Sequence, residues 1–181
     1  GDLVLMAGAA PVEGASIIAR ERRAELLGRG WDEAELARAA NFLHDPGISV
    51  LAPALLAAAQ GVTAMHDPTE GGVATGLLEL ALAAQVGLEI DLAAIAIAPL
   101  AARLCAEFGL DPLGTIASGA LLATCPPDRA EAILAGWQAQ GWPGRVIGRA
   151  TGRGAALVAR RGAHALPFPA FAADEITKLW A

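Results

Sequence analysis

The segment Met65-His66-Asp67-Pro68-Thr69-Glu70-Gly71-Gly72-Val73-Ala74-Thr75 carries more structural information than any other part of this 181-residue chain. Just before and into it, residues 62–65 read as a short strand. After it, Val73, Leu77, Leu80, Ala81 and Ala84 fall on one helical face, with Leu78 and Leu82 on the opposite side. A helix to about Gln85, apolar almost all round, is expected to be buried on several sides. Asp67 as N-cap, Pro68 at the first helical position and Glu70 at N3 spell a capping box. That reading explains three residues without any ligand. It leaves Gly71-Gly72 unexplained, because two glycines in the first turns of a helix cost about 1 kcal/mol each relative to alanine. Close approach of another backbone is one reason for the pair. The other is an anion, since amide groups and the positive helix dipole converge at a helix N-terminus. Composition and spacing leave both open.

Strands and helices alternate on both sides of this segment. Upstream, residues 3–7 read as a strand, Gly8 and Pro11 bound a loop, and a helix follows over 12–27. Asp32 as N-cap with Glu35 at N3 opens a helix carrying Leu36, Ala40 and Leu43. Asp45-Pro46 is read as opening another, with Val50, Leu51, Ala54, Leu55 and Ala58 as its stripe and Gly61 as its stop. Downstream come a strand at 88–92, a helix marked by Leu100, Leu104 and Phe108, and a strand at 120–124 stopped by Pro126-Pro127. The helix from Asp128 carries Ala130, Ile133, Leu134 and Trp137 at i, i+3, i+4, i+7 spacing. Residues 145–147 and 155–158 read as a closing pair of strands around Gly152 and Gly154. Phe168, Phe171, Ile176 and Leu179 mark a tail packed back on the body. The expected class is α/β or α+β, with helices covering a mixed sheet.

A chain of this length makes one domain, residues 1–181. With 55% hydrophobic and 18% charged residues, long-range disorder is excluded. A net charge of -6 argues against a nucleic-acid backbone or an anionic membrane surface as partner. No run of about 18 uncharged apolar residues is present, so no membrane-spanning helix is expected. The opening Gly1-Asp2-Leu3-Val4-Leu5 lacks the basic region of a signal peptide and reads as a strand cut from a longer chain. Cys105 and Cys125 lie in apolar surroundings and read as free, buried thiols, which fits a cytoplasmic protein.

Two further loops are candidates for a site. Residues 113–119 contain Thr115 and Ser118, which could donate to a ligand oxygen, though an ordinary turn explains them as well. Residues 8–16 contain Glu13 and Ser16 as their only polar side chains. His66 and Glu70 are four apart, as a metal pair on a helix would be, but Pro68 stands between them and no third ligand is apparent, so no metal is expected. There is no G-x-S-x-G elbow, no Walker loop and no G-x-G-x-x-G after a strand.

Taken in order, Gly1-Asp2-Leu3-Val4-Leu5, the 65–75 segment, Gly87-Leu88-Glu89-Ile90-Asp91, Phe108-Gly109-Leu110-Asp111-Pro112-Leu113 and Ser118-Gly119-Ala120-Leu121-Leu122 resemble the C-terminal domain of the AIR synthase (PurM) superfamily. The likeness is to the hydrogenase-maturation HypE group and the AIR synthase-related proteins beside it. It implies a three-layer arrangement, and a two-domain, usually dimeric parent protein. ATP and Mg²⁺ would be bound mainly by an N-terminal domain, which this chain lacks. The C-terminal domain would close the cleft and help hold substrate or nucleotide phosphates. Carried over by motif, Asp67, Thr69, Glu70, Gly71 and Gly72 line that cleft, and Glu13, Gly14, Ser118 and Gly119 border it. The implied partners are the protein's own N-terminal domain, a homodimer mate and a small-molecule or phosphate ligand.

The function so implied is the substrate- and phosphate-binding half of an ATP-dependent AIR-synthase-like or HypE-like enzyme, inactive alone and with its substrate unassigned. One alternative is a non-catalytic assembly or regulatory module of the same fold; another is a carbamoyl-dehydratase-like role in hydrogenase maturation. Two departures argue against the last. The HypE group ends in a cysteine, whereas this chain ends Thr177-Lys178-Leu179-Trp180-Ala181, and Glu70 stands where HypE commonly has arginine. A domain that packs on an N-terminal half is expected to leave an apolar face exposed in its absence.

Overall fold

Leu3–Ala7 (β1) forms the spine of the structure, a computed structural model that describes residues 1–181. In chain order there follow Val12–Glu21 (α1), Arg23–Gly28 (α2), Glu33–Ala40 (α3), a 3₁₀ turn at Asn41–Leu43, Leu51–Ala59 (α4), Ala64–His66 (β2) and Gly72–Ala84 (α5). Then come Val86–Asp91 (β3), Pro99–Glu107 (α6), Leu121–Cys125 (β4), Pro127–Ala139 (α7), Gly144–Arg153 (β5), Val158–Arg161 (β6), His164–Pro167 (β7) and a 3₁₀ turn at Glu175–Trp180. One seven-stranded sheet runs β2-β4-β1-β5-β3-β6-β7. Every neighbouring pair is antiparallel except β3 with β6, so the sheet is mixed, as expected.

Period-two alternation along β1 sends its side chains into two different cores. Val4 and Met6 join Val73 and Leu77 of α5 on one face. Leu5 and Ala7 join Ala57 of α4 and Ile133 and Trp137 of α7 on the other. Three layers result, α5, sheet, then α4 with α7. A separate apolar cluster links α1, α2, α3 and α6, with Ile18, Leu26, Leu36 and Leu104 fully or almost fully buried. Ile176 and Leu179 of the tail also enter it, so the tail does pack back on the body. No helix is long and apolar enough to cross a membrane.

Local signals with a strong side-chain partner read correctly. Asp32 caps α3, its Oδ1 accepting the Glu35 N–H at 3.0 Å. The α7 stripe is buried at Ala130, Ile133 and Trp137, and Trp137 Nε1 donates to the Pro53 carbonyl at 2.9 Å.

Other expectations need correcting. The helix over 12–27 is broken at Arg22, whose φ of -111° and ψ of 18° are not helical. Asp45-Pro46 opens no helix; α4 starts only at Leu51. Gly47 has a φ of 90°, and its carbonyl lies 2.9 Å from where a Cβ on Gly119 would sit, so the backbone here packs on the 113–119 loop instead. Residues 145–158 do not fold back as a hairpin. β5 is one long strand stitched to β1 and β3, while β6 pairs with β3 and β7. Glycines allow that stitching: a Cβ on Gly148 would meet the Glu89 carbonyl at 2.3 Å. α5, expected to be buried on several sides, leaves Leu78 and Leu82 exposed.

Candidate functional site

Gly71 and Gly72 take φ values of 74° and 64°, in the left-handed region. Two left-handed residues cannot lie in the interior of a right-handed helix, so they stand at its mouth, Gly71 as the N-cap residue and Gly72 as the first residue of α5. The capping box expected from Asp67, Pro68 and Glu70 is therefore not formed. Pro68 is buried against Gly76, where a Cβ would lie 2.7 Å from the proline Cβ. Asp67 and Glu70 are exposed, and neither carboxylate caps the helix.

Gly72 is where another backbone comes close. A Cβ there would stand 2.6 Å from both the Leu113 and Thr115 carbonyl oxygens. The Gly72 N–H donates to the Thr69 carbonyl at 3.1 Å, and the Ala74 N–H to the Leu113 carbonyl at 2.9 Å. The Gly71 N–H donates to Asp174 Oδ2 at 2.6 Å. The glycine turn thus has tight packing at Gly72 and a carboxylate against its free amide at Gly71.

The 113–119 loop is the hub that brings the three candidate loops together. Its Ile116 carbonyl accepts the Gly14 N–H at 3.2 Å, and its Ala117 N–H donates to the Thr69 carbonyl at 3.2 Å. Ser118 Oγ donates to Thr69 Oγ1 at 3.3 Å. Gly119, with a φ of 96°, lies between the 44–49 stretch and α1. Thr115 is completely buried and its hydroxyl donates to the Asp111 carbonyl at 2.8 Å, so it is not free to reach a ligand. Glu13, in the first turn of α1, has its Oε2 buried and without a partner. His66 turns to α5, its Nε2 lying 2.5 Å from Glu79 Oε2, and does not pair with Glu70.

Two hollows are each lined by one of the candidate residues. Asp67 lines an open one of about 500 Å³ with Ser49, Leu51, Met65 and Leu121. Gly119 lines a narrower one of about 140 Å³ with Gly8, Ser49, Leu121 and Trp142. They share Ser49 and Leu121. Sequence reading missed the contribution of the 46–49 stretch, Trp142 and above all Asp174, which lies 103 positions from its Gly71 partner. Only the Asp-Glu-Ile start of the tail turn was available as a local sign. There Asp174 Oδ1 accepts the Ile176 N–H at 2.8 Å, as an N-cap does.

The two thiols offer no nucleophile. Burial pushes Cys105 up to about 11 and also raises Cys125. A raised thiol pKa means the neutral form is favoured in the fold. Its stabilising contribution is present below the unfolded-state value and is lost as pH rises towards 11. At pH 8, Cys105 in the folded chain is expected to react with a disulfide reagent about 100-fold more slowly than in urea, from the thiolate fraction alone. Equal rates in a stopped-flow comparison would contradict the burial.

Residues 1–159 match the family described as AIR synthase related protein, C-terminal domain. Carbamoyl dehydratase HypE of Cupriavidus necator is 34% identical over 135 residues, covering 75% of this chain and 35% of that protein. The crystal structure of E. coli HypE superposes with a TM-score of 0.70 at 26% identity, covering 93% of this chain and 50% of that one. A hydrogenase maturation protein HypE in complex with ATP has the same fold, with a TM-score of 0.66 at 21% identity over 97% of this chain and 52% of that one. The chain spans between about a third and a half of the length of these proteins. By motif order, by the matched residues and by its fold, this chain belongs to the AIR synthase related protein, C-terminal domain family.

Proposed function

We propose that this chain is the substrate- and phosphate-side half of an ATP-dependent protein of the AIR synthase and HypE kind, with ATP held mainly by an N-terminal half. One observation carries the reading: Asp67 and Glu70 are exposed and do not cap the helix they were expected to cap. Freed from that role, they flank Thr69 in the chain, and the Thr69 hydroxyl accepts from Ser118 Oγ at 3.3 Å. These are hard oxygen donors, suited to a Mg²⁺ that keeps most of its ligands from phosphate and water. Two carboxylates repel a bare phosphate, so the ligand arrives neutralised by its cation. Mg²⁺ held mainly by the N-terminal half would offset the phosphate charge, while Asp67 and Glu70 face the ion's water shell and the glycine turn lets the backbone approach. Glu13, Gly14 and Gly119 shape the border of this cleft.

The partner half has a place to sit. Leu51, Leu55 and Leu82 are exposed to 65%, 63% and 66%. Leu51 shares a hollow with Met65 of the edge strand β2. The next strand residue, His66, is bonded to Glu79, which lies between Leu78 and Leu82 on α5. An apolar surface flanking a sheet edge is a docking face. The additional length of the relatives supplies an occupant, the N-terminal half. A dimeric, cytoplasmic protein belongs to the same proposal.

The test uses the protein that carries this domain together with an N-terminal half like that of its relatives. Calorimetry with Mg·ATP is expected to show binding, and Asp67→Asn/Glu70→Gln to weaken it at least about tenfold, a loss of about 1.4 kcal/mol, with the melting temperature unchanged. Absence of nucleotide binding by the intact protein would overturn the reading. Unchanged affinity in the double variant would remove these two residues from it.

A further inference from the structure

The amide at the glycine turn already has an anion against it, and that anion is part of this chain. Asp174 Oδ2 accepts the Gly71 N–H at 2.6 Å, while its Oδ1 accepts the Ile116 N–H at 3.2 Å and the Ile176 N–H at 2.8 Å. One tail carboxylate therefore bridges the mouth of α5 and the 113–119 hub. An amide has one proton to donate, so an incoming phosphate cannot take the Gly71 N–H while Asp174 holds it.

The tail is held by a small set of separable contacts. The Glu175 N–H donates to the Gly114 carbonyl at 3.0 Å, and Glu175 Oε2 accepts the Asp111 N–H at 3.0 Å. Burial works to raise the Glu175 carboxyl, but Lys178 and the Asp111 amide outweigh it and hold it below its ordinary value. Ile176 and Leu179 supply the apolar anchor. The chain leading to this turn is exposed at every residue of β7, which pairs with β6 at the sheet edge, and then packs Phe168 on the core beneath α5 and Phe171 over Gly114. A six-residue 3₁₀ turn that follows the last strand, anchored by Ile176, Leu179 and the Phe171 ring on Gly114, is a unit that can open without unfolding the sheet.

We propose that the C-terminal tail is an intrinsic plug, in which Asp174 occupies the amides of Gly71 and Ile116 and must lift before a phosphate-bearing ligand can reach them. The proposal rests on the reading that this turn takes a phosphate. While docked, the tail also sets the Asp174 carboxylate against the Gly71 amide, so it opposes an anion by charge as well as by occupancy. The cost of lifting the tail lowers the apparent affinity by the fraction of molecules that are open.

The experiment follows the amide resonances of Gly71 and Ile116 in the ¹⁵N-labelled chain during titration with inorganic pyrophosphate in excess Mg²⁺. Three proteins are compared: wild type, Asp174→Asn, and Ile176→Ser/Leu179→Ser, which loosens the tail without touching the glycine turn. Both variants are expected to bind at least about tenfold more tightly than wild type, with Gly71 amide exchange faster by a similar factor. Should the double serine variant lose its sheet by circular dichroism, Asp174→Asn alone decides. Equal affinity in wild type and variants, with Gly71 shifting in each, would overturn the plug, and so would the absence of pyrophosphate binding in all three. The two readings fail separately. Mg·ATP binding by the longer protein with no gain in the variants here leaves the function and removes the plug. A gain here with no Mg·ATP binding there leaves the plug and removes the nucleotide.

Discussion

Gly72→Ala is expected to destabilise the fold by about 3–5 kcal/mol, of which about 1–2 comes from forcing a side chain into the left-handed region and the rest from displacing the neighbouring loop. The second part is large because the obstacles are backbone atoms. The added methyl would meet the carbonyls of Leu113 and Thr115 at 2.6 Å and the Thr115 nitrogen at 3.0 Å. No rotamer relieves such a contact, so the 113–119 hub must shift. With it would move the hydrogen bonds from Ala74, Ala117 and Gly14. Gly71→Ala is the control. Its φ is as unfavourable, but the nearest atoms to its Cβ are all in the Thr75 side chain: Oγ1 at 2.2 Å can rotate away, while Cβ at 2.7 Å needs a small shift of the first helical turn. A smaller loss of about 2–3 kcal/mol is expected there. Urea denaturation of both variants measures the difference, and equal losses at the two positions would refute the account of Gly72.

Trp137→Ala is the other large effect, about 3–5 kcal/mol. Trp137 is completely buried between α7, the sheet and α4, and Gly144 on β5 has no side chain where a Cβ would lie 2.5 Å from the indole ring. Removing the ring leaves a cavity that backbone on three sides cannot close. It also removes the hydrogen bond from the indole N–H to the Pro53 carbonyl. Trp137→Phe keeps most of the volume and loses the hydrogen bond, so about 1–3 kcal/mol is expected. Thermal unfolding of the pair separates the two contributions. A phenylalanine variant as unstable as the alanine variant would show that the carbonyl, not the cavity, dominates.

Both predictions depend on contacts between distant parts of the chain, and the same distinction governs what could be read without coordinates. The α7 stripe, the Asp32 cap and the buried thiols were legible because each follows from spacing of three or four residues or from hydrophobic surroundings. The motif order was legible too, and it identified the family. The capping box failed for a different reason. Asp67, Pro68 and Glu70 have the right types at the right spacing, yet the glycines after them adopt positive φ to let a loop 40 residues away approach, and this moves the helix start to Gly72. The closing strands failed similarly. Gly152 and Gly154 look like a turn, but β5 gains more by pairing along both β1 and β3 than by folding back.

From residue order alone came the layered class, the alternation of elements, the family and the three loops worth inspecting, because periodicity, caps and motifs are short-range properties of a chain. Tertiary structure alone decided what the glycine turn touches. The hub at 113–119 and the Asp174 carboxylate reach Gly71 and Gly72 only after the sheet has closed and the tail has docked, and no local pattern encodes the partner of an amide that is 103 positions away. Hydrogen bonds to backbone amides require no particular sequence around the donor, so the occupant of this turn became visible only when the fold brought it there.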